Sequence, residues 1–227
     1  MKGSNMYRLS VKQWNPFVGC RHGCVYCRPS FQAQLRRWAK NRCELCSRFE
    51  PHIHPERLDQ KLPRTGYMQF IFTCACGDVA FCPTSYLKKI AERIRSMPDR
   101  TFLIQSKSPA AFRLVEWPRN VILGVTIETD RDDLAGRVSG APPPSERFRE
   151  FLAVDHEPKM VTHEPVIEFN LEVLLEWDEE ISPALIWIGY DSKRCGLEEP
   201  RPEKVKRLLW RLARIRYPVI LKNIIRN

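Results

Sequence analysis

Three cysteines lie within eight residues near the start of the chain: Cys20, Cys24 and Cys27. Gly19 and Gly23 interrupt this run, and the conformational freedom of glycine lets such a loop turn tightly around one metal centre. Three thiolates on a four-iron cluster leave one iron without a protein ligand, so that a cofactor or substrate can bind the metal directly. We therefore predict a 4Fe–4S cluster at these cysteines. The alternative is a zinc tetrahedron in which His22 is the fourth ligand.

Five of the other six cysteines form a second group before residue 83. Cys43 and Cys46 have the C-x2-C spacing of a metal-binding knuckle. Two thiolates from Cys74, Cys76 and Cys82 would complete a four-ligand site that holds zinc or an auxiliary iron–sulfur cluster. Two alternatives stay open: all five are free thiols, or Cys74 or Cys76 is catalytic and donates a hydrogen atom to a substrate radical.

Other candidate residues are less specific. His52 and His54 flank a loop bounded by prolines, and we interpret them as surface residues or spare metal ligands. His163 and Glu164 follow an apolar run, where strand ends often line a pocket. His163 is therefore a candidate catalytic residue, with a purely hydrogen-bonded role as the alternative. Cys195 stands alone, and we expect it to be structural.

The cysteine spacing, with Tyr26 directly before the last cysteine, resembles the C-x3-C-x2-C signature of the radical SAM superfamily. More narrowly, the chain resembles small three-cysteine-motif proteins of phages and prokaryotes, and it is distantly similar to spore photoproduct lyase-type repair enzymes. The segments that carry the narrower resemblance are WNPFVGC (14–20), HPERLD (54–59), TFLIQSKSP (101–109), NVILGVTIE (120–128), HEP (163–165) and residues 218–222.

The resemblance implies a radical S-adenosylmethionine enzyme. Cys20, Cys24 and Cys27 would ligate the 4Fe–4S cluster, and S-adenosylmethionine would chelate its fourth iron. One electron from an external donor would then cleave the cofactor to methionine and a 5′-deoxyadenosyl radical, which abstracts a hydrogen atom from the substrate. The protein would supply orientation and exclusion of water.

The same resemblance indicates residues that would bind the cofactor. Superfamily members often hold the methionyl amine with a Gly-Gly-Glu stretch, and this chain has Cys76-Gly77-Asp78 at that place, so Asp78 is the candidate. Glu128 would bind the ribose hydroxyls, Gly189 would admit the adenine, and Tyr26 would lie beside the cluster. Ordinary strand-end roles are the alternative for Asp78, Glu128 and Gly189.

The elements that must position these residues alternate between short apolar runs and helical patterns. Residues 67–73, 101–105, 121–127, 159–162, 184–188 and 218–221 indicate strands, and residues 7–11 indicate a weaker first strand. Helical spacing follows 84–94, 171–175 and 205–215. Repeated strand–helix units predict an α/β fold, a partial (β/α) barrel of about six to seven parallel strands. We expect one domain over residues 1–227, with a cysteine-containing insertion at 28–66 that a metal stabilises.

Composition and charge bear on partners and location. The chain carries 37 Lys and Arg against 27 Asp and Glu, and residues 193–227 alone hold eleven basic and three acidic residues. This basic C-terminal helix predicts contact with nucleic acid, for base repair or modification, with a solvated helix face as the alternative.

No apolar run is long enough for a membrane span or signal peptide, so we expect no membrane partner and a cytoplasmic location. The competing function is a cysteine-rich zinc protein that binds nucleic acid without catalysis.

Overall fold

Seven parallel strands form one sheet in the computed structural model, which describes residues 7–40, 42–215 and 217–222. The strands are β1 (Ser10–Trp14), β4 (Phe70–Thr73), β5 (Phe102–Ser106), β6 (Val121–Thr126), β7 (Lys159–His163), β8 (Leu185–Gly189) and β9 (Val219–Lys222), with the shorter β2 (Phe17–Val18) and β3 (His52–Ile53) outside the sheet. The sheet order is β1-β4-β5-β6-β7-β8-β9, and it curls into a half-barrel. The predicted partial (β/α) barrel is therefore confirmed.

Seven α-helices connect or flank the strands in the described residues: α1 (Ala33–Ala39), α2 (Glu44–Arg48), α3 (Thr84–Arg95), α4 (Asp132–Val138), α5 (Pro144–Leu152), α6 (Leu171–Ile181) and α7 (Pro202–Ile215). Helices α3, α6 and α7 correspond to the three helical patterns of the sequence. Helices α4 and α5, both between β6 and β7, were not predicted. Among the described residues, no helix is both long enough and apolar enough to cross a membrane.

Two cores lie on opposite faces of the sheet, because side chains alternate along each strand. Ile71, Phe102 and Ile104 face the helices and join their buried side chains, such as Leu87 and Leu208, in the larger core. The smaller core fills the concave face with Tyr7, Phe70, Phe72, Leu103, Met160, Trp187 and Ile220. Parallel strands buried on both faces explain the near-continuous apolar runs in the sequence.

Two strand boundaries differ from the prediction for reasons of packing. The first strand is Ser10–Trp14 rather than 7–11, because Tyr7 turns into the concave core, where its hydroxyl contacts Gln105 and Thr162. The second sheet strand begins at Phe70 rather than at residue 67, and Tyr67 is 95% exposed. Tyr7 and Tyr67 lie just before strands, and their apolar character made them look like part of those strands in the sequence.

The predicted insertion contains a short π-helical turn at Arg28–Gln32, then α1, α2 and β3. Strand β3 pairs antiparallel with β2, so the insertion returns to the segment from which it departs. A small third core holds it together through Val18, Leu35, Ala39, Cys46, Phe49 and Cys76. Residues 1–6 and 223–227 of the predicted span, Asn41 of the insertion and Arg216 of the basic segment lie outside the described residues.

Candidate functional site

The three cysteines of the first motif lie on one loop, residues 19–27, which we call the cysteine loop. It follows β2, and Gly19 and Gly23 adopt positive φ angles of 102° and 66°. Gly19 donates its N–H to the Cys76 carbonyl (2.9 Å) and accepts from the N–H of Asp78 (3.1 Å). A Cβ atom on Gly19 would lie 2.3 Å from the backbone of Glu50, so only glycine fits between Glu50 and the segment of Cys76 and Asp78. The loop is thus fixed at the carboxyl end of β4.

The three thiols are free and occupy different surroundings. Cys24 is buried, and its Sγ lies 3.0 Å from the hydroxyl of Ser139. Burial, and then the charge of Asp78, raises the pKa of the Cys20 thiol, and burial raises the pKa of Cys27 to about 11. Desolvation raises the pKa of buried thiols in general, so Cys20 and Cys27 are neutral thiols when no metal is bound.

Asp78 connects the cysteine loop to the end of β5. Its carboxylate accepts hydrogen bonds from the Ser106 hydroxyl (2.6 Å) and the Lys107 N–H (2.8 Å), and it lies 3.2 Å from His22 Nε2. Burial alone would raise the pKa of this carboxyl, but the contact with His22 holds it below its ordinary value. Cys20, His22 and Asp78 also have ligand atoms within 4.8 Å of one another. Asp78 therefore lies beside the cysteine loop as an ionised acceptor.

Glu128 occupies the end of β6 with no exposed surface. One carboxylate oxygen accepts from the Tyr26 hydroxyl and the Lys107 ammonium, and the other accepts from Arg147 at 2.5 Å. Burial opposes its charge, but Arg147 and Lys107 hold the pKa of this carboxyl well below its usual range. Lys107 also donates to the Tyr26 hydroxyl at 2.6 Å. Tyr26 and Glu128, two of the predicted cofactor-binding residues, thus belong to one polar network.

Gly189 ends β8, where the prediction gave it space for an adenine ring. A Cβ atom there would lie 3.2 Å from the Glu164 side chain and 3.2 Å from the Lys222 carbonyl. Glu164 accepts from Trp187 Nε1 (2.7 Å) and Lys222 Nζ (2.6 Å) over this position. The close neighbour of Gly189 is therefore the Glu164 carboxylate, and the absence of a side chain leaves room for that contact.

His163 is fully buried on the helix side of β7. Its Nδ1 lies 2.6 Å from the Ile127 carbonyl, and its Nε2 lies 3.1 Å from the Asp178 carboxylate of α6. Burial by itself would lower the pKa of His163, but Asp178 and the carbonyl raise it above its ordinary value. Both nitrogens face acceptors, so the ring is held as an imidazolium that links β7 to α6. This geometry is that of a positioning residue rather than of a catalytic base.

The predicted second cysteine group divides into two parts. Cys43 and Cys46 meet His52 and His54, and the ligand atoms of these four residues lie within 4.8 Å of one another. The antiparallel β2–β3 pair brings the two histidines to the knuckle, where the prediction placed two of the later cysteines.

The later cysteines are buried elsewhere. Cys74 and Cys82 pack in the larger core, whereas Cys76 packs in the third core between the insertion and the cysteine loop. Burial raises the pKa of Cys76 and of Cys82 to about 12 in each case, and that of Cys74 well above its ordinary value. Cys74 and Cys76 still follow β4, at the carboxyl edge of the sheet, but neither thiol is activated as a thiolate.

Three residues of the site were missed from the sequence. Lys107 directly follows β5, so its strand-end position was a usable signal. Arg147 and Ser139 lie in and before α5, in a segment whose helices were not predicted, and nothing in the sequence distinguishes Arg147 from exposed arginines. Next to this region, a cleft of about 650 Å³ opens between the cysteine loop and the segment before α5, where it is lined by His22, Phe81, Ser108, Leu114 and Gly140 among others.

The basic C-terminal helix packs beside the acidic α6, and part of its charge is compensated there. Lys204 pairs with Glu168, and Arg211 makes two hydrogen bonds of 3.1 Å to the Glu172 carboxylate. The outer side keeps Lys206, Arg207 and Arg214 exposed, and the Arg214 guanidinium lies 4.7 Å from the ring centroid of the half-exposed Trp210.

Solved structures similar in fold come from Streptococcus suis SuiB. The structure bound to S-adenosylmethionine matches with a TM-score of 0.54 and 11% identity, over 95% of this chain and 50% of that chain. The structure without a named ligand matches with a TM-score of 0.56 and 10% identity, over 95% and 49%. The structure bound to the precursor peptide SuiA matches with 0.53 and 10%, over 95% and 48%.

This chain thus spans about half the length of the SuiB structures. At these identities the likeness concerns the fold alone, the half-barrel of parallel strands described above. No curated protein matches the sequence. One family profile matches residues 8–177, which include the cysteine loop, Asp78, Glu128 and His163. The chain therefore belongs to the family described as "Protein of unknown function (DUF5131)".

Proposed function

We propose that this protein is a radical S-adenosylmethionine enzyme whose 4Fe–4S cluster is held by Cys20, Cys24 and Cys27. The observation that carries the proposal is the position of these three free thiols on one nine-residue loop, fixed at the carboxyl edge of a parallel half-barrel. Active sites of strand–helix barrels form at this edge. The fold likeness to SuiB, which has been solved with S-adenosylmethionine bound, supports the same cofactor for this chain.

The surroundings of the loop fit a negatively charged metal–sulfur group. The Ser139 hydroxyl lies within hydrogen-bond distance of Cys24 Sγ. The buried Nη2 of Arg147, whose charge interacts with the Cys24 thiol, has no hydrogen-bond partner among the described residues.

Around the cluster, charged side chains are arranged to hold a zwitterionic cofactor. Asp78 is an ionised acceptor beside Cys20, and it is our candidate for the methionyl amine. Lys107 and Glu128 lie next to Tyr26 in a buried network. Glu128 is our candidate for the hydroxyls of the cofactor, which would replace Tyr26 or Lys107 at its carboxylate. When bound, the cluster and S-adenosylmethionine would supply one-electron chemistry. The chain's own part would be to orient these groups and to exclude water from them.

For the substrate we propose a nucleic acid that binds through the outer side of α7. Lys206, Arg207 and Arg214 are exposed there, and the half-exposed Trp210 offers an aromatic face on which a base can stack. Proposed partners therefore include nucleic acid and an external electron donor. A reducing cytoplasm is the matching location, because the nine cysteines are free thiols.

The test of this function uses anaerobically purified protein with a reconstituted cluster. After reduction, mixing with S-adenosylmethionine should yield 5′-deoxyadenosine. Cys24→Ala should abolish this product. Cys195→Ala should keep it, because Cys195 lies outside the cysteine loop and outside the group of Cys43 and Cys46. A wild-type protein that binds iron but forms no 5′-deoxyadenosine, or a Cys24→Ala protein that forms it normally, would contradict the proposal.

A further inference from the structure

Four side chains of the insertion, none of them part of the cysteine loop, converge on one point. Cys46 Sγ lies 3.3 Å from His52 Nε2 and 3.2 Å from His54 Nε2, and Cys43 Sγ lies 3.4 Å from His52 Nε2. All four ligand atoms lie within 4.8 Å of one another, and Cys46 is 2% exposed. We call these four residues the Cys2His2 group.

Local structure brings the four together from two elements. Cys43 precedes α2 and accepts a hydrogen bond from the N–H of Cys46, which forms the C-x2-C knuckle. The left-handed Phe49 ends α2 and turns the chain back toward β3. His52 and His54 are two residues apart on an extended segment, so their side chains point to the same side, toward the knuckle. The spacing is C-x2-C-x5-H-x-H.

The second nitrogen of each histidine fixes its tautomer. His52 Nδ1 lies 2.7 Å from the Glu50 carbonyl, and His54 Nδ1 lies 2.8 Å from the Glu56 carboxylate. Because both partners are acceptors, each Nδ1 carries the proton and each Nε2 presents a lone pair to the sulfurs. Metal-bound histidines show this same pattern, in which the outer nitrogen donates to a carbonyl or carboxylate.

Hydrogen bonds alone do not account for these contacts. Cys46 has one S–H proton, yet its sulfur approaches the lone pairs of two imidazoles at nearly equal distances. If the thiol of Cys43 donates to His52 and that of Cys46 to His54, one sulfur lone pair still faces one nitrogen lone pair. A cation among the four atoms removes this repulsion, because all four then act as electron-pair donors.

We propose that Cys43, Cys46, His52 and His54 bind one zinc ion, as a site separate from the cysteine loop. Two thiolates and two imidazoles form the tetrahedral Cys2His2 set of structural zinc sites, and these ligand types select against magnesium and calcium. All four positions are taken by protein, so the ion is structural rather than catalytic.

The ion stabilises a part of the chain that has little core of its own. It ties the α1–α2 segment to the antiparallel β2–β3 pair, and this pair in turn supports the cysteine loop. His54 donates its N–H to the Pro16 carbonyl (2.7 Å), and Cys20 donates its N–H to the Phe49 carbonyl (3.3 Å). Zinc in the insertion therefore positions the backbone of Cys20 without contacting the cluster.

The first experiment measures zinc in a protein that cannot hold the cluster. The triple variant Cys20→Ala/Cys24→Ala/Cys27→Ala should keep one equivalent of zinc. X-ray absorption at the zinc edge should show two sulfurs at about 2.3 Å and two nitrogens at about 2.0 Å. Absence of zinc from both the wild type and the triple variant, or a shell of three or four sulfurs, overturns the proposal.

The second experiment assigns the ligands by cobalt substitution. Cobalt-loaded wild-type protein should show the d–d and thiolate charge-transfer bands of a tetrahedral site with two sulfur and two nitrogen ligands. His54→Cys keeps four ligands and should shift these bands toward those of a site with three sulfurs and one nitrogen, whereas Cys82→Ser, as the matched control, should leave them unchanged. Bands that respond to Cys82→Ser but not to His54→Cys would place the metal on the later cysteines and overturn the proposal.

Discussion

The cysteine loop and the Cys2His2 group are neighbours that share a small core, yet their ligands are supplied differently. In the Cys2His2 group, four ligand atoms face one another and both outer histidine nitrogens are already bonded. In the cysteine loop, three thiols lie in three different surroundings, next to Asp78, to Ser139 and to Lys107. A complete ligand set suits a structural ion, and an incomplete set beside ionised residues suits a reactive one.

The largest expected effect separates the two sites by single substitutions. Cys24→Ala should abolish cleavage of S-adenosylmethionine while one zinc per chain remains. Cys46→Ser should remove the zinc and lower the yield of the cluster, because Cys20 loses backbone support, but the remaining cluster should still cleave the cofactor. Metal analysis and 5′-deoxyadenosine formation, measured on the same samples, check both. Loss of both metals in both variants would show that the two regions form one site.

A second effect concerns the buried ion pairs that Glu128 makes with Lys107 and Arg147 beside the cysteine loop. Glu128→Gln leaves Arg147 and Lys107 buried without their carboxylate partner, which should destabilise the protein by about 3–5 kcal/mol. Urea unfolding of the cluster-free protein measures this change in the free energy of unfolding. The exposed Glu176→Gln on α6 is the control and should stay within about 0.5 kcal/mol. A Glu128→Gln protein as stable as this control would show that the network is not closely paired.

A third effect tests whether nucleic acid is recognised by the outer side of α7. Lys206→Ala and Arg207→Ala on the outer side of α7 should each weaken binding, and each should reduce the slope of log affinity against log salt by about 1. Titrations of single-stranded DNA and RNA at several salt concentrations measure this slope. Lys88→Ala on α3 is the control, with an unchanged slope expected. Salt-independent binding, or no binding, would point to a different substrate.

The smallest effect is a pH dependence outside both sites. The raised pKa of His163 stabilises the folded state fully below the unfolded pKa of about 6.5, and this contribution is lost as the pH rises through the higher folded pKa. The stability difference between wild type and Asp178→Asn should therefore be largest in acid and shrink toward alkaline pH. Denaturant unfolding across this range checks it, with and without metal. A difference that grows with pH would contradict the imidazolium assignment.

Much of the fold was predictable because parallel strands buried on both faces leave long apolar runs. Strands β4 to β9 and helices α3, α6 and α7 were found in this way. Strands β2 and β3 have two residues each, which is too short for any periodicity. Helix α5 was missed because residues 141–145 look like a rigid loop, whereas Pro144 occupies the first turn of the helix, where proline is tolerated.

The site was predictable where its residues follow strands directly, as Asp78 and Glu128 do. The partners of Cys43 and Cys46 were not predictable. They depend on the antiparallel β2–β3 pair, which is only two residue pairs long and brings the histidines, rather than the later cysteines, to the knuckle. The role of Arg147 depends on a tertiary contact with Glu128 across 19 residues, which leaves no signal in the sequence.

The most direct test of the account is the electron paramagnetic resonance spectrum of the reduced protein, recorded with and without S-adenosylmethionine. We expect the signal of one reduced 4Fe–4S cluster, and we expect this signal to change when the cofactor is added. The signal should be absent from the Cys20→Ala/Cys24→Ala/Cys27→Ala protein and present in His54→Cys. A spectrum without a cluster signal, or a cluster signal that does not respond to S-adenosylmethionine, would contradict the central claim.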